Sequence, residues 1–225
     1  MSRRVRHAPR ADEQPGNALL TLACRAIGGF HATNQKSPPV ISQSSVRVDD
    51  ELSLAPRHAS DAVEMFALVE RHRTALGEWL TWIDATRSLS DARRYAQFAQ
   101  VQFESRVAFD YTIRAGGQIV GAIGIHGIDW AHRNAQIGYW VSPDASGRGI
   151  ATRAAAAITA IGFGHHDVHR LEIRCVVENA RSRAVAERLG FAHEGTLREA
   201  YFLHGRYRDI SLYAMTERAW LARTT

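Results

Sequence analysis

The sequence has little cysteine and no long apolar run. Its two cysteines, Cys24 and Cys175, are too few for a disulfide framework or for the paired ligands of a Cys/His metal site. No stretch approaches the roughly 20 uncharged apolar residues of a membrane-spanning helix. We therefore expect a cytoplasmic protein with no bound metal and no membrane span.

The composition is otherwise near the average for globular proteins, since 45% of the residues are hydrophobic and 23% are charged. These values exclude a collagen-like, coiled-coil or wholly disordered chain. A chain of 225 residues can bury a sizeable core, and one domain is the simplest organisation for it.

The net charge of +5 is concentrated at one end of the chain. Residues 1–45 hold six basic and two acidic side chains, so four of the five excess charges lie there. The remaining residues are almost neutral, which argues against a nucleic-acid-binding groove in the body of the protein. Residues 1–45 are predicted to form a disordered basic extension that contacts rRNA or another acidic surface weakly. The domain proper is expected over 46–225.

An apolar run at 18–24 follows two arginines and is a weak match to an export signal. Arg25 ends this run early, and no clear cleavage site follows it. The prolines and serines at 38–45 are more typical of a disordered tail. The sequence alone leaves open that these residues precede the true start of translation.

From residue 46 onward, helix and strand periods alternate, which predicts a mixed α/β (α+β) domain. Asp61 and Glu64 are spaced as a capping box at the start of a helix. Asn179 can cap a later helix that ends at Leu189. Further helices are predicted at 90–105 and 150–162, and strands at 46–54, 107–114, 118–128, 135–142, 171–177, 191–198 and 207–215.

The segment 137–151 leads a predicted strand into a glycine loop that opens a helix. Backbone N–H groups in such a loop, together with the helix N-terminus, can bind a phosphate group. A single Gly-x-Gly is more often an ordinary connection between a strand and a helix, and the loop lacks the endings of a Walker A or dinucleotide motif. The loop alone therefore leaves its function open.

The chain resembles the GNAT superfamily of N-acyltransferases, in particular its RimJ/RimL-like branch, which acetylates the N-termini of ribosomal proteins. The resemblance covers about residues 46–220. It is carried by ordered blocks of sequence: LGEWL at 76–80, GYWV at 138–141, GRGIA at 147–151, RLEI at 170–173, NARS at 179–182, LGF at 189–191 and GRYRD at 205–209.

The resemblance implies a GNAT fold, in which helices flank a mixed, mostly antiparallel central sheet with two splayed strands. It also implies acetyl-CoA as cosubstrate, with its pantetheine arm between the strands at 137–141 and 171–177. Ser146 stands where the superfamily has Gln or Arg, which should weaken a site built from backbone N–H groups only modestly. The cofactor-binding residues implied are Tyr139, Trp140, Val141, Ser146, Gly147, Arg148, Gly149, Ile150, Ala151 and Asn179.

The reaction implied by the family is direct attack of an amine on the thioester, without an acyl-enzyme. Cys175 is then not needed as a nucleophile and is expected to be a core residue. Ser182 matches the serine of the Asn-x-x-Ser motif and would protonate the departing thiolate. A backbone N–H near 139–141 would stabilise the charge on the thioester oxygen.

The general base is open, because Gln136 stands where many members carry a glutamate. A bound water, Glu78 or Glu178 could take the proton, and both glutamates could equally be solvated surface residues. An α-amine has a pKa of about 7.7–8.0 and is partly neutral already, whereas a lysine amine near 10.4 needs deprotonation. The glutamine therefore favours an α-amine as acceptor.

The acceptor site is predicted between an early helical segment and a late hairpin. The helical segment contributes Glu78, Trp79 and Trp82, and the hairpin contributes Tyr201 and Tyr207. Gln136 is also predicted to contact the acceptor. Trp79 and Trp82 could equally pack in the core instead of contacting the acceptor. Tyr207 and Asp209 could equally stabilise the hairpin. His165, His166 and His169 are expected to face solvent rather than to bind a metal.

We therefore expect an acetyl-CoA-dependent N-acetyltransferase that acts on the α-amine of a protein or peptide. Alternatives are acetylation of a small amine, such as an aminoglycoside, a polyamine or an amino-acid-like metabolite, and a non-catalytic acyl-CoA sensor. The sequence is compatible with a monomer or a homodimer.

Overall fold

An eight-stranded sheet runs through residues 45–224, the part of the chain that the computed structural model describes. The order of the strands is β1-β2-β3-β4-β5-β6-β8-β7, and all neighbours are antiparallel except β5 and β6. The strands are β1 (Val46–Arg47), β2 (Leu52–Pro56), β3 (Phe109–Ala115), β4 (Gln118–Asp129), β5 (Asn134–Val141), β6 (Arg170–Val176), β7 (Ala192–Leu203) and β8 (Arg206–Thr216).

Helices cover both faces of this sheet. They are α1 (Ala62–Arg71), α2 (Arg73–Gly77), α3 (Leu89–Glu104), α4 (Ile150–Gly164), α5 (Ala180–Arg188) and α6 (Glu217–Thr224). Short 3-10 turns lie at Ala59–Asp61, Thr81–Ala85 and Pro143–Ala145. The mixed, mostly antiparallel sheet flanked by helices is the predicted architecture.

Alternate residues of β4 pack on opposite faces of the sheet, as the two-residue period of a strand requires. Ile123 and Ile125 belong to the main core together with α4. Ala122 packs instead with Met65 of α1. Ile150, Ala154, Ile158 and Ile161 form a buried apolar stripe along α4.

The predicted strand over 46–54 is wrong, because a turn divides it into β1 and β2. The cause is Asp49, whose Oδ1 accepts hydrogen bonds from the N–H groups of Glu51 and Leu52 at 2.9 and 2.8 Å. An aspartate that bonds the following backbone in this way competes with strand pairing. The chain therefore folds back on itself as a short hairpin.

The capping box predicted from Asp61 and Glu64 is also wrong. Asp61 accepts the N–H of His58 at 2.9 Å and so caps the 3-10 turn that precedes α1. Its other oxygen accepts from Arg114 of β3 at 2.7 Å, and Glu64 accepts the N–H of Ile119 of β4 at 2.6 Å. Both carboxylates therefore tie α1 to the sheet.

The extension predicted over 1–45 lies outside the described residues, apart from residue 45. Within residues 45–224, no helix combines the length and apolar character needed to cross a bilayer.

His166 is buried in the core, although the sequence predicted a solvent-facing side chain. Its ring stacks on Phe109 with the centroids 3.6 Å apart, and its Nε2 is hydrogen-bonded to the Tyr111 hydroxyl at 3.0 Å. His165 and His169 are exposed, as predicted. Burial, with smaller effects from Arg106 and His165, lowers the pKa of His166 to about 3.

We predict that His166 makes the protein acid-sensitive. Between pH 6.5 and 3 the unfolded chain binds a proton at this histidine and the folded protein does not, so stability is lost as the pH falls. The loss approaches about 1.4 kcal/mol per pH unit. In His166→Gln this contribution is absent, because an amide cannot titrate.

The measurement is urea unfolding of the wild-type protein and of His166→Gln between pH 7 and pH 5. The stability advantage of the wild type should shrink below pH 6.5. An advantage that stays constant with pH would contradict the prediction. His165→Gln is the control, because His165 is the exposed neighbour and its replacement should leave the acid sensitivity in place.

Candidate active site

A gap opens between β5 and β6, where their parallel pairing stops. The last paired residues are Ile137 and Ile173. Beyond them β5 stays paired with β4 as far as Val141, and β6 stays paired with β8 as far as Val176. The two strands therefore diverge, as predicted, and among residues 45–224 no strand pairs with the edge of β5 that faces β6 after Ile137.

Two hydroxyl groups meet at this gap. The Tyr139 hydroxyl lies 3.0 Å from Oγ of Ser182 and donates to the Ser182 carbonyl at 3.1 Å. Ser182 is held in the first turn of α5, because Oδ1 of Asn179 accepts its N–H at 3.0 Å. Asn179 is therefore the helix cap that the sequence predicted.

The Tyr139 and Ser182 hydroxyls are both protonated hydrogen-bond donors at neutral pH. Tyr139 is part of β5 and its ring packs against the main core. Burial raises the pKa of its phenol above the usual range, so the group stays protonated at neutral pH. A leaving thiolate in the gap would therefore have two protonated hydroxyls close to each other.

Cys175 lies on β6 and is part of the main core, as predicted. Burial raises the pKa of its thiol, although a hydrogen bond with Ser182 opposes the shift. A thiol that stays protonated is a weak nucleophile. Its burial therefore fits a reaction that has no acyl-enzyme.

The loop before α4 is shaped for a phosphate group. Gly147 and Gly149 have φ angles of +80° and +72°, in the left-handed region that glycine tolerates best. A Cβ atom built on either glycine meets no atom within 4 Å, so the loop opens outward. The first N–H groups of α4 lack intrahelical partners and carry the positive end of the helix dipole. The residues present therefore fit the pyrophosphate of a coenzyme A molecule.

Ser146 and Arg148 both make contacts within the protein. The Ser146 hydroxyl donates to the Ser142 carbonyl at 3.1 Å and so closes the turn before the loop. Arg148 forms an ion pair with Glu51 in the hairpin between β1 and β2. Arg153 of α4 pairs with Asp49 in the same hairpin at 2.6 Å. The hairpin thus anchors the loop, a role that the sequence analysis missed.

Trp82 and Trp140 lie together on the predicted acceptor side, with ring centroids 5.9 Å apart. Trp82 is 38% exposed and open to a ligand. Trp140 packs against Leu76 and Ile83, so its side chain lies on the acceptor side and only its backbone remains for the cofactor. Trp79 is half-buried between α2 and the following 3-10 turn.

The hairpin of β7 and β8 closes this side of the site. The Tyr201 hydroxyl donates to Oγ1 of Thr81 at 3.3 Å, and the ring of His204 bonds the Gly77 carbonyl at 3.0 Å. His204 was missed by the sequence analysis, since its partner lies 127 residues away. The tip of the hairpin therefore forms a wall next to the segment that holds Trp79 and Trp82.

Tyr207 is separated from Tyr201. It pairs across the hairpin with Phe202, and the two rings pack with centroids 5.1 Å apart. Neighbouring residues of a strand point to opposite faces, so Tyr207 lies on the face away from Thr81. Asp209 fixes the hairpin, because its Oδ1 accepts the N–H of Glu199 at 2.8 Å.

The two candidate carboxylates differ in their surroundings. Glu78 is exposed and has no ion pair among residues 45–224. Glu178 pairs with Arg208 at 2.6 Å, and hydrogen bonds from its own backbone and from Arg208 lower the pKa of its carboxyl group. A carboxylate that resists protonation is a weak base. Gln136 lies one residue before the gap and pairs with Glu172 of β6.

The acetyltransferase (GNAT) domain family matches this chain over residues 51–192, which is more than half of its length. The chain belongs to the GNAT acetyltransferase family. Its divergent strands and glycine loop are thus those of an acetyltransferase, and both the expected family and the expected GNAT fold are confirmed.

Two relatives cover most of this GNAT domain. YdaF of Bacillus subtilis (strain 168), provisionally named a ribosomal N-acetyltransferase, is 29% identical over 178 residues, which are 77% of this chain and 96% of YdaF. The ribosomal-protein-serine acetyltransferase of Escherichia coli (strain K12) is 29% identical over 170 residues, 76% of this chain and 95% of that protein.

A solved structure has the same fold. RimL, a ribosomal L7/L12 alpha-N-protein acetyltransferase in complex with coenzyme A, superposes with a TM-score of 0.75 at 27% identity, over 78% of this chain and 99% of RimL. GNAT enzymes use acetyl-CoA, as the sequence predicted. When bound, it supplies the acetyl group as an activated thioester.

We predict that Gly149→Asp weakens acetyl-CoA binding about 100-fold or more, a cost of about 2.7 kcal/mol. The aspartate would put a negative charge at the N-terminus of α4 and a side chain on a residue with φ of +72°. Calorimetric titration with acetyl-CoA measures the effect.

Gly164→Asp is the matched control for this substitution. It adds the same charge at the far end of α4, where a Cβ atom meets nothing within 4 Å. Its affinity for acetyl-CoA should stay close to that of the wild type. Wild-type affinity in Gly149→Asp would mean that the loop does not hold the pyrophosphate.

We predict that Ser182→Ala lowers kcat about 100-fold and leaves the Kd for acetyl-CoA nearly unchanged. The hydroxyl acts on the departing sulfur in this account, so its loss affects the reaction more than binding. Ser90→Ala is the control, because Ser90 lies in the first turn of α3. Unchanged turnover in Ser182→Ala, with a loss in Tyr139→Phe, would move the acid role to Tyr139.

Proposed function

We propose that this GNAT enzyme acetylates the α-amine of a protein or peptide and that it acts in the cytoplasm. Two relatives and RimL support the acceptor class, because their names describe acetylation of ribosomal proteins, in RimL at an alpha-amine. Ribosomal proteins are made in the cytoplasm, which supports that location.

The observation that carries the proposal is the pairing of carboxylates around the gap. Glu172 on β6 pairs with Arg170 and Arg174 at 2.9 and 2.8 Å, and Glu178 after β6 pairs with Arg208. A polyamine or an aminoglycoside carries several positive charges and needs free carboxylates to bind them. Of Glu78, Glu172 and Glu178, only Glu78 has no ion pair among residues 45–224, and a single free carboxylate favours an acceptor with one reacting amine.

The acceptor side also suits the end of a peptide. Trp82 offers an exposed ring next to Trp140, and the hairpin of β7 and β8 forms the opposite wall through Tyr201. Aromatic side chains give rigid contact area at low entropic cost, which suits the first residues of an extended chain.

The roles of the residues in this reaction follow from their positions. The loop at 146–151 holds the pyrophosphate, and the free edge of β5 after Ile137 bonds the pantetheine arm as an added strand would. A backbone N–H at 139–141 stabilises the charge that develops on the thioester oxygen. The hydroxyls of Ser182 and Tyr139 supply the proton to the sulfur.

The test is release of the coenzyme A thiol with a panel of amines. The panel holds peptides that begin with Ser, Ala, Met or Asp, the same peptides with a blocked N-terminus and an internal lysine, spermidine and an aminoglycoside. We expect turnover with one free peptide N-terminus and none with its blocked form.

Each other result has a defined meaning. Preferred turnover of spermidine or the aminoglycoside would contradict the proposal and make a small amine the acceptor. Binding of acetyl-CoA without turnover of any amine would favour the acyl-CoA sensor, the alternative that Gln136 supports because it replaces a base.

A further inference from the structure

His126 lies beside the gap, on the strand next to Gln136. It pairs directly with Gln136 across β4 and β5, and the regular pairing then breaks at a bulge between His126 and Asp129. Bulges re-aim side chains and are frequent next to active sites. The pair of Ala122 and Trp140 lies four residues away from the pair of His126 and Gln136 on each strand, so both pairs point to the same face of the sheet. His126 therefore faces the predicted acceptor side.

The imidazole of His126 lies over two glycines. A Cβ atom on Gly124 would be 2.6 Å from Nε2 of His126, and one on Gly138 would be 3.5 Å from its Cδ2. The two glycines therefore leave the space that the ring occupies. Gly138 is also the first residue of β5 beyond the last pair with β6. The ring thus lies at the start of the gap.

A buried carboxylate faces this ring. Oδ1 of Asp110 is 3.6 Å from Nε2 of His126, and the Asp110 side chain is only 6% exposed. The other oxygen of Asp110 accepts from the Tyr95 hydroxyl at 3.2 Å, and Arg57 lies over the Tyr95 ring. One carboxylate oxygen therefore remains to stabilise a positive charge on the imidazole.

A substrate can reach the ring, because the His126 side chain is 39% exposed. Neither ring nitrogen has a hydrogen-bond partner among residues 45–224, apart from the long contact with Asp110. A half-exposed imidazole, a buried carboxylate behind it and a gap in front form the arrangement of a general base.

We propose that His126 is the general base that removes a proton from the acceptor amine, and that Asp110 positions it. The inference rests on the proposed function, since it concerns the amine that the enzyme acetylates. His126 supplies the base that Gln136 cannot, from the neighbouring strand and from the same face of the sheet.

The proton and electron balance of the step is complete. The ammonium form of the acceptor loses a proton to the imidazole, and the nitrogen lone pair forms the bond to the acyl carbon. The bond from that carbon to sulfur breaks, and the sulfur receives the proton supplied by Ser182 or Tyr139. The new amide nitrogen loses its second proton, which restores that hydroxyl. The imidazolium, stabilised by Asp110, then releases its proton to water.

The test compares His126→Gln with the wild type on the amine that the wild type acetylates best, from pH 6 to pH 9.5. At pH 7 we expect kcat/KM to fall about 100-fold. The difference should shrink at least tenfold above the pKa of the acceptor, about 7.7–8.0 for an α-amine, because the amine is then neutral without help. Acetyl-CoA affinity should stay unchanged.

His132→Gln is the matched control. His132 also pairs with an aspartate, Asp129, at 2.8 Å, but it lies on the exposed turn between β4 and β5. Its replacement should leave both the activity and the pH profile at wild-type values. Asp110→Asn tests the positioning role: kcat should fall while the KM for the amine stays near the wild-type value, because the imidazole is still present but is less well oriented.

The outcomes separate the two proposals. Wild-type activity in His126→Gln, or an equal loss at every pH, would overturn the base. A wild type that prefers spermidine to peptides would overturn the peptide acceptor, while the same comparison with spermidine still tests His126. A wild type that acetylates no amine in the panel would overturn both.

Discussion

The divergence of β5 from β6 after Ile137 and Ile173 is the constraint on which the site depends. Each strand keeps its other partner, so the opening stays within a continuous sheet instead of breaking it. The edge of β5 then offers backbone groups to an extended arm, and Tyr139 and Ser182 meet beside it. The same feature lies between the proposed phosphate-binding loop, at the start of α4, and the proposed acceptor side around Trp82.

The chemical groups on the two sides of this opening differ, and the difference matches the direction of the proposed reaction. Burial keeps the phenol of Tyr139 protonated near the expected position of the sulfur. On the acceptor side, a half-exposed imidazole is backed by the buried carboxylate of Asp110. One side therefore offers hydroxyl donors and the other offers an imidazole. The ion pair between Arg148 and Glu51 links the loop to the hairpin of β1 and β2, so it orders the loop more than it supplies charge.

Most of the helices and strands could be predicted from the sequence, because their signals are local. The Asn179 cap and the glycine turn between β3 and β4 depend on neighbouring residues alone. The misses depend on partners far along the chain. Asp61 caps the 3-10 turn before α1 instead of α1 itself, because His58 and Arg114 share its carboxylate. His166 is buried because aromatic residues of β3 pack against its ring. The pair of His126 and Asp110 has no sequence signal, since only the pairing of β3 with β4 brings it together.

A crystal structure of the protein with coenzyme A tests the central claim most directly. We expect the pyrophosphate at the N-terminus of α4 and the sulfur in the gap beyond Ile137 and Ile173, within hydrogen-bond reach of the Ser182 or Tyr139 hydroxyl. Coenzyme A bound outside this gap, or β5 and β6 paired along their whole length, would contradict the assignment of this opening as the active site.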